Sequence, residues 1–379
     1  MLGVWKALRE PYNGYLNTVN RLVAGVLSSL PALWMPTAYS FAALVIQSVS
    51  LGAFFLPNFR RLISSDTLRA ACCLIAALTI PASFELIGTV CNINWYLGIL
   101  SLLVLTMGGQ STTHKWVEAC CTLMQVLIAL TAPGTILFIP FLLWQLANKA
   151  GWLRLRPALH LAALFVQVWI VVHSNTGPRA LIRFNTLFLA TLSGGLTRCV
   201  LAPMIGSPFL KQDVDVTFIE TLVLALILCV AVITAVVIQL RHSPRLWLFL
   251  SALYIGVGSV LLPITGRNFV PGLLTMGGIR GMQGERYFFT GACMFIFCIA
   301  FILDSFLPRW KAAGALIMAA MFAVGAMQNF AIPKLPDCGW QSSAAKIESW
   351  EASRRRHEKL ETLIVPINPP GWTLTLQGN

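Results

Sequence analysis

Glu85 is the only acid between Asp66 and Glu118, and it stands in a polar break, Ser83 to Leu97 (SFELIGTVCNINWYL), between two apolar runs. The break closes on Asn94, Trp95 and Tyr96 before the chain returns to apolar sequence. A carboxylate that faces a hydroxyl can act as its general base. Trp and Tyr present a flat apolar body with a polar tip and favour membrane–water boundaries. A carboxylate, two amides and two such aromatics at one boundary exceed what a connecting turn requires. The stretch reads as one wall of a site at the outer face of a membrane enzyme.

Arginines supply the complementary chemistry. Segment 175–215 carries Arg179, Arg183, Arg198 and Lys211, and segment 265–287 carries Arg267, Arg280 and Arg286. The planar guanidinium fork suits phosphate oxygens, so Arg183, Arg280 and Arg286 are candidate ligands for a lipid-linked phosphate or diphosphate. The plainer alternative is pairing with Asp213, Asp215 or Glu285, or solvation. Gly284-Glu285-Arg286-Tyr287 leads into an apolar run, which puts Tyr287 at the boundary as a substrate contact or a belt aromatic. Glu10, near the amino terminus, is the second candidate base. Tyr15 and Arg21 join Asn94, Trp95, Tyr96 and Tyr287 as candidate substrate-binding residues. Glu118 and Asp304 have Lys115 and Arg309 nearby in the sequence, and structural pairing accounts for both. His173 stands at the outer end of a run, where it could bind phosphate or simply lie at the interface.

The elements that position these residues are membrane-spanning. The chain has 379 residues, 57% hydrophobic and 11% charged, with mean hydropathy +0.75. A soluble domain carries about 25% charged residues. The apolar runs are continuous, as a helix crossing about 30 Å of hydrocarbon requires; a transmembrane barrel would show short alternating segments. We expect an all-α integral membrane protein of about ten transmembrane helices, near 36–56, 67–82, 92–108, 115–131, 134–148, 157–174, 216–240, 246–264, 288–307 and 312–330. Pro133-Gly134 divides an overlong run into two short helices, and Asp66 stands where an N-cap would be. Residues 1–35 form a first outer segment. In it, Tyr12 to Leu30 has one apolar face opposite Asn13, Asn17, Asn20 and Arg21, the pattern of an in-plane interfacial helix. Residues 36–330 form the membrane domain, and 331–379 a small extracytoplasmic tail with a charged helix and an extended segment around Pro369-Pro370-Gly371. Segment 181–201 is apolar but interrupted, and reads as a dipping segment packed on protein.

Orientation follows from the short loops. Loops 57–66, 109–115, 149–156, 241–245 and 308–311 carry Lys or Arg, so every second loop is basic and belongs in the cytoplasm. The carboxyl terminus then lies outside, in a bacterial cytoplasmic membrane. The amino terminus also falls outside with nothing to carry it there. A further helix before Met1 would resolve this; a short translocated amino terminus is the alternative.

The net charge of +13 reports topology and contact with membrane lipids in such a chain, and no basic-aromatic run points to nucleic acid. Seven of the ten cysteines fall inside apolar runs, where Cys acts as a small hydrophobe; Cys91, Cys199 and Cys338 fall in loops and leave a disulfide open. No His/Cys spacing implies a metal, no nucleophile or zinc signature occurs, and no cofactor is implied. The glycines of 265–287 lack nucleotide-loop spacing and suit a mobile loop over an outer site.

An interfacial helix in the first outer segment, acids at the outer boundary and basic outer loops together resemble the GT-C class of glycosyltransferases. The nearer likeness is to bacterial membrane glycosyltransferases of the O-antigen-modifying type. It rests on PYNGYLNTVNRLVAG (11–25), FELIGTVCNINWYL (84–97), GERYFF (284–289) and INPPGW (367–372). The resemblance implies a polyprenyl-phosphate sugar as donor and a glycan, lipid or protein as acceptor, with transfer outside the cytoplasmic membrane. It also implies that an acid of the first outer loop activates the acceptor, without metal in many members. Here that loop is short, so Glu10 takes the role, or the acid lies before Met1. The alternatives are a transporter or flippase of lipid-linked sugars, which would carry charges within its spans and internal repeats, and a non-catalytic subunit of a cell-envelope assembly.

Overall fold

A computed structural model describes residues 8, 10–11, 14–79, 87–107, 115–174, 187–188, 191–192, 194–207, 216–243, 245–266, 285–306, 311–330, 337–356, 358, 360–367 and 371–378. It is 83% helical. The helices are α1 (Thr18–Leu27), α2 (Met35–Gly52), α3 (Asp66–Thr79), α4 (Ile93–Met107), α5 (Lys115–Ala129), α6 (Ile139–Asn148), α7 (Leu155–Ser174), α8 (Val216–Leu240), α9 (Arg245–Gly266), α10 (Phe289–Phe306), α11 (Lys311–Asn329) and α12 (Trp340–Arg355). The only strands among the described residues, β1 (Leu363–Ile367) and β2 (Trp372–Leu376), pair antiparallel as Leu363 with Leu376 through Ile367 with Trp372. Gly371, at φ +87°, sits where the chain turns into β2, so the tail's extended segment is a hairpin.

This is an all-α multi-pass membrane protein. Among the described residues six helices are long and apolar enough to cross a membrane, or seven if the bent pair Lys115–Ala129 and Pro133–Asn148 is one span. The count of about ten expected from the sequence is not confirmed among the described residues. The 115–148 region bends by 119° at Pro133-Gly134, and α3 has 14 residues, fewer than the roughly 20 that a full crossing takes. The apolar stretches Thr18–Leu27 and Gly195–Ile205 are also short, whereas α8 runs for 25 residues. Outward faces are apolar, as in lipid: Phe41, Leu123, Trp144, Phe165 and Trp247 are exposed while Phe249, Phe289, Phe301 and Phe322 form the interior.

The loops sort to two ends. At one, Arg61 donates to the Thr106 carbonyl, Gln145 Nε2 donates to Leu105 O at 2.9 Å, and Glu118 pairs with Arg156 at 3.1 Å. Asp304 accepts from Ser64 N, Ser64 Oγ, Ser65 N and Arg245 Nη2 there. The partners expected from sequence proximity are therefore replaced: Glu118 pairs with Arg156, not Lys115, and Asp304 with Arg245, while Arg309 lies outside the described residues. At the other end Thr18 Oγ1 donates to Leu130 O at 3.0 Å and Asn20 Nδ2 to Val90 O at 2.6 Å. The tail joins this second end, where Trp340 Nε1 donates to Ala32 O and Ala32 N to Glu348 Oε1.

Two local readings change. The N-cap of α3 is Ser65, whose Oγ accepts from Leu68 N at 3.3 Å. Asp66 is instead the first helical residue, where a negative charge favours the helix dipole. It holds both Arg60, at 2.6 Å, and the buried Arg69, at 2.5 Å. The hydrogen bond from Arg60 leads in holding the Asp66 carboxyl down at about 2. A depressed carboxyl contributes stability that is complete above the ordinary aspartate pKa of about 4 and is lost as pH falls towards 2. Asp66→Asn should therefore unfold at a lower temperature than wild type at pH 7, with the gap closing between pH 4 and pH 2. A gap independent of pH would sink this account.

The second change concerns α1. Asn20, on its polar face, is 6% exposed, Val19 and Val23 pack against the core, and Val26 is 72% exposed. A helix bordered by lipid leaves its apolar face outward and finds partners for its polar groups in the protein. The helix therefore buries part of both faces, Asn20 as well as Val19 and Val23.

Candidate functional site

The second end contains a cavity of about 270 Å³. Its walls come from the amino-terminal segment (Gly14, Tyr15), the start of α4 (Asn94, Trp95, Gly98), the turn 132–138, α7 (Leu164, Gln167, Val168, Val171), α9 (Ile255, Ser259, Leu262, Pro263) and the start of α10 (Tyr287, Thr290). Four candidates chosen on residue type, Tyr15, Asn94, Trp95 and Tyr287, thus line one space although they come from three distant segments.

Each wall has a local cause. A 3-10 turn, Val90–Asn92, precedes α4 and sets Asn94 and Trp95 in its first turn. A second 3-10 turn, Glu285–Phe288, leads into α10. The rings of Trp95 and Tyr287 meet edge to face, centroids 5.4 Å apart and planes at 85°, an arrangement favoured by the aromatic quadrupole. The guanidinium of Arg286 lies 5.2 Å from the Tyr287 ring centroid. Pro133-Gly134 opens the 3-10 turn Pro133–Phe138 between α5 and α6.

The amino-terminal segment is fixed by a residue that sequence reasoning passed over. Gln167 accepts from Leu16 N at 3.1 Å and donates to Leu16 O at 3.2 Å, as a neighbouring strand would. Gly14 has φ +83°, a conformation that glycine adopts without steric cost, and it turns the chain into this clamp. A glutamine inside an otherwise apolar run was the available signal, because a polar group at membrane depth needs a partner.

Asn94 differs from Gln167. It is 5% exposed, and its Oδ1 has no hydrogen-bond partner. A buried, unpaired amide oxygen costs about 1–3 kcal/mol, so the fold by itself does not account for an asparagine here.

The remaining candidates are placed as follows. Tyr96 is buried against Phe289, centroids 4.4 Å apart, and does not line the cavity. Arg21 is half-buried on α1, its Nη1 enclosed without a hydrogen-bond partner. Glu10 is exposed and lines no part of the cavity. Glu85, Arg183 and Arg280 lie outside the described residues. His173 is exposed and stacked on Trp169, centroids 3.9 Å apart.

The interrupted segment after residue 193 is packed on protein. A π-helix, Gly195–Leu201, runs into the short helix Ala202–Ile205 and holds Arg198, 2% exposed, 4.8 Å above the Phe288 ring. All ten cysteines are free thiols, and Cys199 is buried in this segment, not in a loop. Among the described residues no group of three His, Cys, Asp or Glu side chains is placed to hold a metal ion. Compared with protein-family models, with characterised proteins and with solved structures, the chain matches none.

Proposed function

We infer that this protein transfers a sugar from a polyprenyl-phosphate donor to a glycan, lipid or protein acceptor at the outer face of a bacterial cytoplasmic membrane. In this reading it is a glycosyltransferase of GT-C type. The observation that carries the reading is the convergence of Tyr15, Asn94, Trp95 and Tyr287 on one cavity. A volume of about 270 Å³ lies just below the usual small-molecule range of about 300–1,000 Å³ and suits a single sugar ring. The aromatic edges receive the apolar face of the ring, while Asn94 and the hydroxyls of Tyr15, Ser259 and Thr290 are the polar groups available to its oxygens.

The orientation belongs to the same proposal. The end with Arg60, Arg61, Lys115, Lys149, Arg154 and Arg245 faces the cytoplasm by the positive-inside rule. The cavity and the carboxyl-terminal tail then lie outside. Ten crossings, three of them short and helped by protein packing, satisfy this arrangement, with interfacial helices at the outer surface.

In the proposed reaction the acceptor hydroxyl oxygen attacks the anomeric carbon. The bond from that carbon to the phosphate oxygen breaks, and the polyprenyl phosphate leaves with the electron pair. The hydroxyl proton passes to Glu85 or Glu10. Arg286, Arg183 and Arg280 neutralise the charge that develops on the leaving phosphate. Transfer of radiolabelled sugar from polyprenyl-phosphate donors in proteoliposomes tests this reading. Trp95→Ala should reduce transfer about tenfold through loss of ring stacking and positioning, and Glu85→Gln by about 10²–10⁴ if it is the base. Full activity in Trp95→Ala would remove the cavity from the mechanism.

A further inference from the structure

A second concavity lies on the opposite face of α7. It is a groove of about 1150 Å³ between α5 and α7, walled by Leu123, Val126, Leu159, Ala162 and Val166 and ending at Lys115 and Glu118. Leu123, Leu159 and Val166 are exposed, so the groove opens sideways on the surface that faces lipid. Its polar end is the basic end of the bundle.

That end holds more positive charge than the protein neutralises. Glu118, 4% exposed, meets Arg156, 5% exposed, at 3.1 Å. Lys149 is close enough to feel both charges, and burial leads in lowering its pKa, with Arg156 adding to the effect. Its Nζ is enclosed and has no hydrogen-bond partner. Lys115 stands exposed on the first turn of α5. Three cations therefore surround one carboxylate. One turn beyond Arg156, His160 is fully buried with neither ring nitrogen hydrogen-bonded. Lys149 and Arg156 stand beside Glu118, which lines the polar end of the groove with Lys115, and a mainly apolar groove that ends in surplus positive charge suits an anionic amphiphile.

We propose that the groove between α5 and α7 holds an anionic phospholipid, its phosphate at Lys115 on the polar end of the groove, in the field of Lys149 and Arg156 beside Glu118, and its acyl chains along Leu123, Leu159 and Val166. The apolar walls select the chains, and the excess of cations selects a net negative headgroup over a zwitterionic one. The proposal is independent of sugar transfer, because the groove and the cavity lie on different faces of α7 and share no lining residue.

Native mass spectrometry of the full chain in neutral detergent tests it, with phosphatidylglycerol and phosphatidylcholine of identical chains supplied in equal amounts. Wild type should retain phosphatidylglycerol at least fivefold over phosphatidylcholine. Lys115→Gln should weaken that retention about fivefold, the effect of one basic residue at an anionic surface, while Lys115→Arg keeps it. Leu159→Trp, which fills the groove, should lower both lipids. Equal retention of the two lipids by wild type, or unchanged retention by Lys115→Gln, would overturn the proposal. So would displacement by glycerol phosphate at the concentration of the lipid, since the chains would then contribute nothing.

Discussion

Gly325→Ala lowers the unfolding temperature and costs about 3 kcal/mol, at the upper end of the usual penalty for overpacking. The sign is the informative part, since alanine in place of glycine within a helix normally gains about 1 kcal/mol. Gly325 marks the point where α11 crosses the chain at Pro203-Met204. A Cβ there would overlap the Pro203 carbonyl oxygen and lie 2.5 Å from its carbon. The obstacle is backbone, and it is held in place. Asn329 Oδ1 accepts from Ser207 N at 2.7 Å and from Ser207 Oγ at 3.0 Å. Its Nδ2 donates to Thr79 O at 2.6 Å and to Ala202 O at 2.8 Å. The segment cannot retreat without breaking this hub. Gly52→Ala, with nothing within 4 Å of the added carbon, is the matched control and should be neutral or slightly stabilising. Tryptophan fluorescence during thermal unfolding in detergent reads both. If the two variants behave alike, the close crossing of α11 is wrong.

The crossing also shows where sequence reading reaches its limit. Helical class and membrane character are local properties, set by continuous apolar runs and scarce charge, and they were legible. So was the alternation of basic and non-basic loops, which agrees with the two ends that Asp304, Arg245 and Ser64 on one side, and Thr18, Leu130, Asn20 and Val90 on the other, bring together. Helix number was less legible, because one long apolar run such as 115–148 bends by 119° at Pro133-Gly134, and composition does not say whether its halves make one span or two. Charge partners were missed for a related reason. Lys115 is three residues from Glu118, yet Arg156 on α7 pairs with it, a choice made by helix packing and invisible along the chain. Within the site, residue type found Asn94, Trp95, Tyr15 and Tyr287, because amphipathic aromatics and amides at a boundary are conspicuous. It could not tell Trp95, which faces the cavity, from Tyr96, which packs on Phe289; adjacent residues on a helix point about 100° apart, and only the neighbours decide which way is inward.

Asn94→Leu separates function from fold more sharply than any other change at the cavity. The two side chains branch at Cγ with the same number of heavy atoms, and the substitution removes a buried oxygen that has no partner. Stability should stay level or rise by about 1 kcal/mol, since an unpaired buried acceptor costs about 1–3 kcal/mol. Sugar transfer should fall about thirtyfold in kcat/KM, which corresponds to ~2 kcal/mol for one lost hydrogen bond to the bound substrate. Gln167→Leu supplies the contrast. Its amide already serves Leu16 N and Leu16 O, so that variant should unfold more easily and lose transfer only as the amino-terminal segment loosens. Paired unfolding and transfer measurements distinguish the cases. An Asn94→Leu protein that is less stable yet fully active would make Asn94 a packing residue and take the polar anchor out of the cavity. A protein equally stable and impaired in transfer identifies the unpaired oxygen as a group kept for a ligand. With that result, the cost is offset because the substrate supplies the missing hydrogen.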